Sequence, residues 1–77
     1  MELSRASQYE GFVLVASPKE LADGRFSTEI EIGRNSTFRP YHAKNVWKSK
    51  EEAVARSIDF GKQIVDGKIV GITAGVG

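Results

Sequence analysis

One stretch, Ser49 to Gly67 (SKEEAVARSIDFGKQIVDG), constrains the fold more than any other, because both of its ends are marked and one of its faces is apolar. Ser49 with Glu52 three residues on spells a capping box, in which the serine oxygen accepts the amide of the third helical residue and the glutamate reaches back to the serine amide. At about 100° per residue, Val54, Ile58, Gly61 and Val65 fall in one narrow stripe with Ala53, Ser57, Phe60 and Ile64 beside it. Glu51, Glu52, Arg56, Asp59, Lys62 and Gln63 take the other side. Gly67 follows Asp66 where a left-handed residue closes a helix. About 18 residues at about 1.5 Å each make a rod of about 27 Å. Such a rod needs a second layer to bury its stripe, and the rest of the chain must supply it.

That layer is legible as strands. GFVLVAS, Gly11 to Ser17, is apolar at almost every position and rich in valine, a strand with apolar groups on both faces, ended by Pro18. PKELADG is a loop with room for one helical turn at Lys19 to Ala22. In RFSTEIEIG, Phe26, Thr28, Ile30 and Ile32 alternate with Ser27, Glu29 and Glu31, so one face is buried and one meets water. GRNST is a turn, and FRPYHAKNVW follows as a third strand with a proline near its start. If Gly33 and Phe38 close the loop, Ile32 faces Arg39, Ile30 faces Tyr41 and Thr28 faces Ala43, while His42 sets beside Glu29 and Lys44 beside Ser27. A hairpin across PKELADG then turns Phe12, Leu14 and Ala16 to the core and leaves Val13 and Val15 on the open face. Gly61 lets the helix backbone approach the sheet, and Trp47 wedges beneath the start of the helix.

The expected architecture is therefore α+β, a three-stranded antiparallel meander with one C-terminal helix packed across one face. With 77 residues there is room for one domain, which we place at residues 9–67. Residues 1–8 are polar and without period, and read as a flexible tail; 68–77 reads as a flexible end or a short fourth strand through Lys68 to Thr73. A composition of 40% hydrophobic and 27% charged residues is that of an ordinary globular protein. The chain has no cysteine, which removes disulfides and thiolate metal sites and favours a reducing compartment, and MELSRASQYEG lacks an apolar run. We expect a cytoplasmic protein with no membrane span.

The strand-strand-strand-helix pattern with its closing S-K-E-E-A and F-G-K-Q-I-V-D-G resembles a family of small bacterial proteins of unknown function, over roughly Tyr9 to Gly67. In element order, and in a helix that opens with S-x-E-E-A, the chain is also similar to the fold of HicB-type antitoxins. These 77 residues hold no separate DNA-binding domain of the kind those antitoxins carry, so the resemblance implies neither toxin neutralisation nor functional residues.

The residues argue against an enzyme. There is one histidine, His42, and no G-x-S-x-G elbow, and Glu29 and Glu31 are explained by strand alternation alone. No metal or cofactor site is expected, and GITAGVG lacks the lysine of a phosphate loop. What departs from expectation is charge. Between Glu31 and Glu51 there is no acid, while Arg34, Arg39, Lys44, Lys48 and Lys50 are interleaved with Phe38, Tyr41, His42 and Trp47. A net charge of +1 makes this a local feature. Two classes follow. One is a non-catalytic binding or regulatory module acting through protein contacts, a homodimer included, with Val13 and Val15 as candidate contact residues near an exposed strand edge. The other is a nucleic-acid-binding module using segment 34–50, with Arg34, Arg39, His42, Lys44 and Lys48 as candidate residues. Tyr41 and Trp47 turned to the core, and two glutamates on the face of Lys44, favour the first.

Overall fold

A computed structural model describes residues 6–68. Its order is β1 (Ala6–Tyr9), β2 (Phe12–Ala16), β3 (Phe26–Arg34), β4 (Thr37–Trp47) and α1 (Lys50–Val65). The four strands form one antiparallel sheet in the order β1-β2-β3-β4, and α1 crosses one face of it. The α+β architecture is as the pattern predicts.

The helix ends where its signals lie. Ser49 is extended and its Oγ accepts the Glu52 amide at 3.1 Å; among the described residues only this serine half of the capping box is made. At the other end Gly67 has φ 72°, its amide donates to the Ile64 carbonyl, and the Lys68 amide donates to Gln63, which completes a Schellman motif. The apolar stripe meets Leu14, Ile30 and Ile32. At Gly61 an added Cβ would stand 3.0 Å from Ile30 Cγ1 and 3.4 Å from Leu14 Cδ1, so the helix approaches the sheet closely enough there that even a methyl group would press Ile30 aside.

The expected face assignment holds on three strands. Leu14 pairs with Ile32 and Ala16 with Ile30 across β2 and β3, and Ile30 with Tyr41, Ile32 with Arg39, Thr28 with Ala43 and Glu29 with His42 across β3 and β4. Ser57, fully buried on α1, accepts a hydrogen bond from the Glu29 amide at 3.1 Å. The helix thus satisfies a β3 donor near the end of β2.

Three expectations need correction. Residues 6–8, placed in the tail by the sequence, are strand: a two-residue turn at Glu10-Gly11, both at positive φ, folds Ala6–Tyr9 back onto β2, with Tyr9 opposite Phe12 and Gln8 opposite Val13. Lys44 does not face Ser27. A bulge inserts Lys44 and Asn45 into β4, so Val46 takes that place and Trp47 faces Phe26. Its cause is Thr28, whose hydroxyl donates to the Asn45 carbonyl at 2.9 Å and accepts from Trp47 Nε1 at 2.7 Å. Two extra residues preserve alternation, which is why Trp47 still reaches beneath the helix. Lastly, the loop after Pro18 makes no helical turn: Glu20 bridges Phe26, and Leu21 to Gly24 form a turn closed by the Asp23–Arg25 ion pair at 2.6 Å. The proposed fourth strand at 68–73 lies outside the described residues beyond Lys68.

Candidate interaction surface

The register fixes what the face away from α1 carries. Gln8, Val13, Gly33 and Phe38 make one row across all four strands, and Ala6, Val15, Glu31 and Pro40 make the next. Glu29 and His42 follow, then Ser27 and Val46. Ser27 is nevertheless buried, because its hydroxyl accepts the Lys19 amide and the loop lies over it. No described element covers the first three rows.

Phe38 is the most exposed large apolar side chain on this face. A side chain on Gly33 would overlap the Phe38 ring, so the ring lies flat over the glycine where the missing Cβ leaves room. It stays 47% exposed, more than any other large apolar residue described. Val13 stands on the other side of Gly33, and Val15 and Pro40 border the next row, half-buried and exposed respectively. Together they form a contiguous apolar patch. Within it Glu31 lies between Val15 and Pro40, and Glu29 stands two residues away on the same face. Among the described residues neither glutamate side chain has an ion pair or hydrogen bond.

The edges of the sheet are less open than the patch. β1 occupies the outer side of β2, so Val13 and Val15 border no free edge, contrary to expectation. β4 is an edge strand, but the tight turn at Asn35-Ser36 makes Arg34–Thr37 a hydrogen-bonded pair, and alternation then points the backbone of Phe38, Pro40 and His42 outward. Pro40 lacks the outward N–H, and the bulge at 44–45 interrupts the edge further on. Both devices blunt an edge against strand addition.

The basic segment is dispersed by the same register. Arg34 lies over the Phe12 ring at 5.1 Å, on the helix side of the sheet. Arg39 pairs with Ile32 and shares that side; His42 points the other way beside Glu29; Lys44 sits in the bulge; Lys48 lies between β4 and the helix cap. Tyr41 packs against the core, and Trp47 is tied through its indole nitrogen to Thr28 with Arg56 over its ring at 5.1 Å. No single surface gathers these cations with their aromatic neighbours. A notch of about 190 Å³ opens between α1 and β4, floored by Thr28 and Ala43 and walled by Trp47 and Phe60. Asp59 on its rim already accepts a hydrogen bond from Gln63. Among the described residues no group of three or more His, Asp or Glu side chains is placed to hold a metal, and no helix is long and apolar enough to cross a membrane.

Reading the residues alone found Val13 and Val15 but missed Phe38 and Pro40. The signal was the hairpin register that the sequence already implied: Phe38 opposite Gly33 is an aromatic ring opposite a residue with no side chain. Compared with protein families, with curated proteins and with solved structures, the chain matches none. Function has to be argued from the surface itself.

Proposed function

We propose that the protein is a non-catalytic, cytoplasmic binding module that engages another protein through the open face of its sheet. The observation that carries this is Phe38, 47% exposed over Gly33 and continuous with Val13, Val15 and Pro40. An apolar patch rimmed by polar residues is the pattern of a protein-contact surface. Charge separates the two classes. Glu29 and Glu31 lie in and beside the patch, so a phosphate chain laid across it meets repulsion, while a protein surface can supply complementary groups. Arg34 and Arg39, which would favour nucleic acid, sit on the helix side of the sheet.

Amide shift mapping tests this against single-stranded RNA, duplex DNA and protein-like probes at low and moderate salt. The proposal expects perturbation at Val13, Val15, Glu31 and Phe38 with a protein-like probe and none there with oligonucleotides. Shifts with RNA concentrated at Arg34, Arg39, Lys44 and Lys48, steeply weakened by salt, would replace it with the nucleic-acid reading.

A further inference from the structure

We infer that the occupant of the open face is a basic amphipathic protein segment, its apolar side chains on Phe38 and Val13 and a cationic side chain at Glu31. The inference rests on the proposed function above and adds the chemistry of the partner. Its basis is that Glu31 is both unpaired and half-buried among the described residues, whereas the unpaired Glu10, Glu20, Glu51 and Glu52 are exposed to water and the remaining acids but Glu29 have partners. Asp23 is paired with Arg25, Asp66 accepts the Tyr9 hydroxyl at 2.7 Å, and Asp59 accepts from Gln63. Glu31 is half-buried, its neighbours across the sheet are Val15 and Pro40, and neither can offset its charge. Glu29, on the same side of β3, adds a second carboxylate without an ion pair among the described residues; His42 is the one basic group in these rows, and Lys44 of the bulge lies on their side.

An apolar patch that carries unpaired negative charge is complementary to a surface that mixes apolar and positive groups. Arginine suits the position best, since its planar fork takes a carboxylate bidentately and its stem packs on the flanking Val15 and Pro40. A second copy of this chain fits less well. A twofold across this face sets two pairs of glutamates into one interface, where the bulged Lys44 of each copy, on the side of His42, offsets at most two of the four charges.

The test uses the full chain, isotopically labelled, and two short peptides of equal length, one alternating valine with arginine and one alternating valine with glutamate. The arginine peptide is expected to shift Val13, Val15, Glu31 and Phe38 and to bind roughly tenfold tighter or more than the glutamate peptide, with the difference shrinking in salt. Glu31→Gln should weaken it about fivefold. Phe38→Ser should weaken both peptides, by roughly thirtyfold for the arginine one, with the amide spectrum otherwise retained. Equal affinity for the two peptides, with loss on Phe38→Ser, overturns the basic partner and leaves the protein-binding face standing. No shift on this face with either peptide overturns both. Concentration-dependent shifts there without peptide assign the face to a second copy and overturn the inference.

Discussion

The two faces of the sheet are made from the same strands by the same alternation, yet they answer to different constraints. Under α1, Leu14, Ile30 and Ile32 are at most 4% exposed, Ser57 has its hydrogen bond, and a methyl group at Gly61 would press on Ile30 at 3.0 Å. On the other side Val13 and Val15 are half-buried, Phe38 lies over a glycine, and two carboxylates have no partner among the described residues. Burial on the first face supplies the apolar area that holds the domain together. The second face retains apolar surface that folding does not consume, and it is that surplus that reads as recognition.

Neighbouring residues on β2 break the comparison most directly if it is wrong. Leu14→Ala should cost about 2–5 kcal/mol, since a fully buried side chain is lost between helix and sheet. Val15→Ala, one residue on and facing the other way, should cost less than about 1 kcal/mol. Equal costs in denaturant unfolding would mean that the open face is covered in solution. Gly61→Val should cost about 1–3 kcal/mol by forcing the helix off Ile30 and Leu14. A neutral result would show that the helix is rotated about its axis.

Polar contacts sharpen the same contrast at smaller scale. Ser57→Ala removes the acceptor of the part-buried Glu29 amide and should cost about 1–2 kcal/mol, whereas Glu29→Gln on the open side should leave the unfolding midpoint nearly unchanged. Ser49→Ala deletes the cap of the helix and should cost about 1 kcal/mol. A midpoint untouched by Ser49→Ala would mean that the helix begins elsewhere.

How much of this was legible follows from how local each signal is. The helix limits are written in residues within one turn of each end, Ser49, Glu52 and Gly67, and the strand faces in the alternation of Thr28, Ile30 and Ile32 with Ser27, Glu29 and Glu31. β1 was not legible because ASQY has neither period nor apolar run; its place is given by the Glu10-Gly11 turn and by an edge of β2 that needs a partner. Nor was the bulge, which depends on one threonine hydroxyl reaching Asn45 and Trp47 across the sheet. For the candidate surface the register is readable, but Phe38 stands out as a contact residue only when its ring lies over Gly33 and stays exposed, which the pattern of residues does not show. The basic segment misled for the opposite reason: closeness in sequence is not closeness in space when alternate residues on a strand point to opposite faces.

The smallest expected effect concerns the one side-chain hydrogen bond described between β1 and the helix. The Tyr9 hydroxyl donates to both carboxylate oxygens of Asp66, at 2.9 and 2.7 Å, and Lys62 lies over the ring at 5.5 Å. The hydrogen bond to Asp66, then desolvation and the charges of Asp66 and Glu10, hold the phenol above its ordinary value of 10.0. Because the folded pKa is the higher one, the contribution of this link is fully present below pH 10 and is lost as pH rises through the folded value. An ultraviolet titration should therefore show a phenol that ionises later than a free tyrosine, and Tyr9→Phe should remove that component. Asp66→Asn should return it towards 10, because the negative acceptor is gone. In both variants the amides of Ala6 to Tyr9 should exchange faster at neutral pH while those of α1 do not, for the link ties only the edge strand. A Tyr9 that titrates at the ordinary value would show that the Asp66 link does not hold β1 in solution.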